Sequence, residues 1–202
     1  PAEALAKDGG RGRPPLQRDL QSAVASANLD NLSLDPFALC NNAQIEEGAF
    51  GKGYALDRML ARIHSREALI DFGGQLAMRG TYEVSIADPA RRDEPVLAFT
   101  MSDGSLSTSS GSEKPGHILD PRDGQSLPPR GSVSVIANDA LTADILSTAL
   151  YVLGEDDGLR WANDRGIAAI FIAPNRTIRL SAPARLRVRG VKVLNQEFKL
   201  KD

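Results

Sequence analysis

Apolar residues recur with two periods in this chain, and the changes of period outline its elements. Gly51 to Arg66 carries Tyr54, Leu56, Leu60 and Ile63 on one side at helical spacing, which predicts a helix with one buried stripe. Ala140–Leu153 repeats that spacing more fully, with Gly154 as its C-terminal stop, and Glu155–Arg165 predicts a further helix ending at Gly166. A weakly amphipathic helix is expected at Leu16–Ala27. Strands are predicted at Glu67–Phe72, Tyr82–Ala87, Val96–Met101, Ser132–Ala137 and Ile167–Ile172, with Thr177–Ser181 and Arg185–Val193 closing a β meander. Asn28–Asn42, punctuated by Asn, Asp and Pro, suits short strands and turns. Ser105–Gly131 is rich in Ser, Gly and Pro and reads mostly as site-forming loop. Together these predict an α+β fold, a mixed or antiparallel sheet with covering helices. A loose leader over residues 1–42 is expected to precede a folded domain at 43–202.

The 202 residues suit one domain or two very small ones. A hydrophobic content of 42% and a charged content of 25% are ordinary for a globular chain. The formal net charge of −2 gives no support for a nucleic-acid surface or an anionic-membrane surface. Basic residues do gather late, from Arg176 to Lys192, but they alternate with apolar ones and read as the solvated face of strands. The single cysteine, Cys40, excludes an intramolecular disulfide framework and any multi-cysteine metal site. No apolar run approaches the roughly 20 residues that span a bilayer, so no transmembrane segment is expected. The sequence opens on Pro1 and is expected to be a processed product or a fragment, from which an export signal could have been lost.

Four segments carry residues suited to chemistry. Glu46 to Asp57 brings three glycines into the start of a helix, with Lys52 in its first turn. Exposed backbone N–H groups and the positive end of the helix dipole favour a phosphate there. The segment is neither a Walker A loop nor a dinucleotide fingerprint, and alone it reads as a glycine turn. Asp144 and Thr148 stand at i and i+4 on one helix face. A carboxylate and a hydroxyl so placed suit one hard cation such as magnesium, although such pairs also arise on solvated helix faces. His117, in a Gly/Pro-rich loop from Gly116 to Gly124, carries an imidazole that can accept a hydroxyl proton at neutral pH, or simply pack a turn. Asp71-Phe72-Gly73-Gly74 ends a strand where backbone could approach a ligand or merely turn. His64, the other histidine, is expected at a helix C-terminus and is assigned no chemistry.

The order of these segments resembles the FAD:protein FMN transferase family, the ApbE-type flavin transferases. Gly48-Ala49-Phe50-Gly51-Lys52-Gly53-Tyr54-Ala55-Leu56-Asp57 is similar to the family's Gly-Ala-Ile-Ala-Lys-Gly-Tyr-Ala-Val-Asp run. Asp71 to Gly74 is similar to its Asn-Leu-Gly-Gly, and Thr108-Ser109-Ser110-Gly111 to its Thr-Ser-Gly. His117 to Gly124 is similar to its His-Ile-Ile-Asp-Pro-x-Thr-Gly. Ala143-Asp144 through Gly154 is similar to the closing Ala-Asp-x-x-x-Thr-Ala-Leu-x-x-Leu-Gly. The matches cover roughly residues 43–175. Departures are Glu46 for the usual Asp, Ser110 inside Thr-Ser-Gly, Asp123 for Thr, and a short stretch between Gly111 and His117. The family's further N-terminal region finds no counterpart in residues 1–42, which are expected to be its remnant, with Pro1–Lys7 similar to the linker that follows it.

The resemblance implies an ApbE-like, T-fold-related architecture and a reaction. A Thr or Ser hydroxyl of a target redox protein attacks the FAD pyrophosphate, FMN becomes phosphoester-linked, and AMP leaves. It implies magnesium held by Asp144, Thr148 and the backbone carbonyl of Ala49, FAD contacts from Glu46, Lys52 and Leu119, and His117 as base. It also implies a periplasmic or cell-envelope location, with a lipid anchor in some members. Two alternatives stay open: an FAD pyrophosphatase giving FMN and AMP, and a non-catalytic flavin-binding module.

Overall fold

The computed structural model describes residues 17–27, 32–35, 38–41, 47–111 and 116–201. The chain divides into two compact units, 1–46 with 118–127, and 47–117 with 128–202.

In the first unit, helix α1 (Gln17–Ser26) precedes an antiparallel hairpin of β1 (Leu32–Asp35) and β2 (Ala38–Asn41), which pairs Leu32 with Asn41 and Asp35 with Ala38. The segment 118–127 folds back on itself: Leu119 bridges Ser126, and the Asp120 N–H donates to the Gln125 carbonyl at 2.8 Å. The Asp120 carboxylate accepts the Arg122 backbone N–H at 2.9 Å and its Nε at 2.8 Å, which fixes the turn. Gly124 sits at φ 72°, and a Cβ there would come within 2.9 Å of Val24 on α1.

The second unit is built on an eight-stranded sheet. Its strands are β3 (Ala68–Asp71), β4 (Gln75–Ala87), β5 (Pro95–Ser110), β6 (Ser132–Ala137), β7 (Ala168–Ile172), β8 (Thr177–Leu180), β9 (Arg189–Val193) and β10 (Lys199–Lys201). The order is β10-β8-β7-β6-β5-β4-β3, with β9 paired to β5, and only the β10–β8 pairing is parallel. Four helices complete the unit: α2 (Gly51–Leu60), α3 (Ala140–Leu153), α4 (Glu155–Asp164) and α5 (Ala182–Arg187). This is the α+β class that the periodicities predict.

Side-chain alternation gives the sheet two unlike faces. Leu106, Ile136 and Ala168, which are register partners across β5, β6 and β7, join Met78, Ile170, Ile178 and Leu180 in the main apolar core. A register shift between Met78 and Thr81 bends the β4–β5 ribbon, and its far half adds Val84, Ile86, Leu97 and Phe99 to the same core. The opposite face of β5 shows Ser105, Ser107 and Ser109 instead. Ala77 on that face packs with Leu56 of α2 and Ala140 of α3.

Several boundaries differ from those the sequence predicts: β4 begins at Gln75 instead of Tyr82, where Leu76 and Ala77 pair with β5, and three further differences have clear causes. Helix α2 stops at Leu60 instead of Arg66, because the Arg79 guanidinium of β4 takes the carbonyls of Ile63 and Ser65 at 2.8 and 2.7 Å and that of Leu60 at 3.3 Å. His64 therefore lies beyond the helix rather than in its last turn. Ser105–Ser110 is strand, not loop, since both of its edges are paired, by β4 and by β6. Arg185 and Arg187 belong to a short helix, not to a strand's solvated face: Ser181 caps α5 by accepting the Ala184 N–H at 3.3 Å, and Pro183 sits in the first turn, where its missing N–H costs nothing.

Candidate active site

The glycine-rich segment turns before it becomes helical. The N–H groups of Phe50 and Gly51 both reach the Glu47 carbonyl, at 3.0 and 2.7 Å, and α2 begins at Gly51. A helix start leaves several backbone donors without partners, and Phe50 in the capping position supplies no side-chain acceptor. The acceptor comes from 91 positions away: Asp144 Oδ2 takes the Gly53 N–H at 2.9 Å in a buried bond. The two helices touch here, and a Cβ on Gly53 would collide with the Ala140 carbonyl, so only glycine lets α2 approach so closely.

The arrangement is reciprocal. Asp57 of α2 accepts the N–H groups of Ala140 and Leu141 at 2.7 and 2.9 Å, capping α3. Asp139 adds the Thr142 N–H at 2.7 Å. One carboxylate on each helix thus holds the amino end of the other, where the helix dipole favours negative charge.

From Asp144 a row of hydroxyls runs along α3 and β5. Ser147 Oγ donates to the Asp144 carbonyl at 3.0 Å and lies 3.2 Å from Ser107 Oγ and 2.8 Å from Ser109 Oγ. Ser109 Oγ in turn lies 3.1 Å from Thr148 Oγ1, and Gln75 Nε2 donates to Ser107 Oγ at 2.9 Å. Asp144 is 4% exposed and Ser147 0%, while Thr148 is half-buried.

Asp144 is bonded to the first turn of α2 through Gly53, and Thr148 follows one turn later on α3, 3.1 Å from Ser109. Lys52 is half-buried in that turn and forms no ion pair among the described residues. Ala49 lies in the preceding turn, and no backbone bond between described residues ends on its carbonyl. His117 is exposed and belongs to the second unit. Leu119 is half-buried in the first unit, and Glu46 lies outside the described residues. Asp57, Ser107, Ser109 and Ser147 are the site residues that sequence reasoning passed over. The every-second-residue serines of β5 and a serine three positions after Asp144 were the available signals.

The donor set suits a hard cation. Asp144 Oδ2 is engaged by Gly53, but Oδ1 accepts no hydrogen bond among the described residues. Magnesium favours oxygen ligands, needs only one or two carboxylates, and completes its shell with waters and substrate phosphates. A carboxylate oxygen, a hydroxyl and an unengaged carbonyl meet that requirement. Among the described residues no cluster of three or more His, Cys, Asp or Glu side chains is present, so a carboxylate-rich or imidazole-rich metal centre is not built here.

The helix-covered sheet is a fold shared with solved ApbE proteins. The crystal structure of the ApbE protein from Thermotoga maritima superposes with a TM-score of 0.79 at 25% identity, over 90% of this chain and 67% of that one. The apo form of Pseudomonas stutzeri flavinyl transferase ApbE gives 0.78 at 27% identity, over 92% and 66%. The family model for the ApbE family matches residues 2–171, and the chain belongs to that family. An FAD:protein FMN transferase of Klebsiella pneumoniae is 34% identical over 173 residues, 79% of this chain and 55% of that protein. One from Treponema pallidum is 31% identical over 187 residues, 78% and 50%. The chain therefore spans about half the length of these curated relatives.

Proposed function

We propose that this chain carries out magnesium-dependent transfer of the FMN part of FAD to a Thr or Ser hydroxyl of a target redox protein, releasing AMP. The observation that carries the proposal is the bond from the Gly53 N–H to Asp144, which joins a phosphate-type helix start to a carboxylate with one oxygen to spare. Family membership and the flavin transferase names of the relatives support the same reading.

Asp144, Thr148 and the Ala49 carbonyl would hold the cation, which neutralises charge on the pyrophosphate oxygens and on the departing phosphate. The N–H groups around Gly51 and the Lys52 ammonium orient the phosphates from the protein side. His117 takes the proton from the acceptor hydroxyl on an imidazole nitrogen. The hydroxyl oxygen bonds to the FMN-side phosphorus as the bond from that phosphorus to the bridging oxygen breaks, and AMP departs with that oxygen. Glu46 and Leu119 are assigned to contacts with FAD on the strength of the resemblance. The same reading carries a periplasmic or cell-envelope location. No described helix is long and apolar enough to cross a membrane.

Incubation with FAD and a Thr- or Ser-bearing target peptide, with and without magnesium, tests the proposal. AMP release together with a peptide heavier by FMN, both lost on adding EDTA, is the expected result. AMP and free FMN with unmodified peptide would make water the acceptor and the chain a pyrophosphatase. FAD binding with no AMP would leave a flavin-binding module. Replacing His117 with Ala should slow transfer more than it weakens FAD binding, and equal losses would remove its role as base.

A further inference from the structure

The hydroxyl row admits one assignment of its protons that runs between its two ends. Gln75 Nε2 can only donate, and the Asp144 carbonyl can only accept. Each serine or threonine hydroxyl between them has one proton. Ser147 donates to the Asp144 carbonyl at 3.0 Å. In that assignment it accepts from Ser107 and Ser109, at 3.2 and 2.8 Å. Ser109, its proton given to Ser147, accepts from Thr148 at 3.1 Å. Gln75 gives one Nε2 proton to Ser107 at 2.9 Å, and its buried Oε1 has no partner among the described residues.

The outcome for Thr148 is directional. Its proton points to Ser109, so its lone pairs are released for another electrophile. An unrestrained threonine in a helix can instead turn its proton to a carbonyl one turn back, whereas the Thr148 hydroxyl lies 3.1 Å from Ser109 on β5. We propose that Ser109 and Ser147 are positioning residues that hold the Thr148 hydroxyl as a donor toward β5 and so keep its lone pairs available to a divalent cation. The proposal rests on the metal reading given above and adds to it the residues that tune the ligand. Neither serine touches the cation. Ser147 is wholly buried and Ser109 half-buried, as residues acting through Thr148 should be.

The test is a manganese(II) titration of the chain followed by electron paramagnetic resonance, which reads metal binding without turnover. Ser109→Ala removes the acceptor for Thr148 and should weaken manganese binding by about tenfold, the scale of lost outer-sphere hydrogen bonds. Ser109→Thr keeps a hydroxyl and should stay within about threefold of wild type on that scale. Thermal midpoints of both variants should lie within about 3 °C of the parent. Unchanged binding by Ser109→Ala, with binding abolished by Asp144→Ala, would overturn the positioning role and leave the metal site standing. Equal weakening by the Ala and Thr variants would also overturn it, since packing alone would then explain the loss. No manganese binding by wild type, or equal binding by Asp144→Ala, would remove the metal site and the positioning role with it.

Discussion

Two carboxylates hold the crossing of α2 and α3, and they are used differently. Asp57 spends both oxygens on the Ala140 and Leu141 amides. Asp144 spends one on Gly53 and keeps the other. The first is complete within the protein, as a structural cap should be. The second has one oxygen that accepts no hydrogen bond among the described residues, on a side chain that is 4% exposed. Saturation, not residue type or burial, separates the scaffold aspartate from the chemical one.

The contrast can be broken most severely at Asp144. Asn in its place keeps an oxygen for the Gly53 N–H but loses the charge, so magnesium-dependent AMP release should fall by roughly 100-fold or more while the fold persists. A circular dichroism melt alongside the AMP assay checks both halves, and an active Asn variant would sink the metal assignment. Gly53→Ala should act on the crossing itself: its Cβ collides with the Ala140 carbonyl, and urea unfolding should show a loss of about 1–3 kcal/mol. Asp57→Ala orphans two α3 amides and should cost about 1–2 kcal/mol by the same measurement. Its magnesium requirement should stay near wild type. If Asp57→Ala instead shifted the magnesium response as far as Asp144→Asn does, the division of labour between the two would be gone. The smallest effect is expected for Lys52→Met, a rise of several-fold in KM for FAD with less change in kcat, because Lys52 acts on bound phosphate rather than on the helix crossing.

Much of this was legible before any coordinates. Ala140–Leu153 and Ser132–Ala137 match the predicted bounds because a long helical stripe and a fully buried central strand are the plainest patterns a sequence carries. The glycine-rich turn and Asp144 were readable too, as motif residues. Their union was not, because the pairing of Gly53 with Asp144 spans 91 positions. The hydroxyl row was hidden for a different reason. Ser105, Ser107 and Ser109 look like loop composition, yet they form a polar strand face on which Ser107 and Ser109 are satisfied by Gln75 and by α3. Likewise no local signal could stop α2 at Leu60, since the guanidinium that takes its carbonyls comes from β4.

The long span between Gly53 and Asp144 also bears on when the phosphate loop can exist. Helix α2 has ten residues, too few to persist alone in water, and its first turn is held by an acceptor that leaves the ribosome 91 residues later. Ordering the loop thus requires closing a long stretch of chain, a step whose entropic cost is met only when β5 and α3 have packed. A nascent chain that ends before Asp144 would offer no pinned helix start to a nucleotide. On the proposed function, a grip on phosphate is gained late in synthesis, together with the tertiary structure itself.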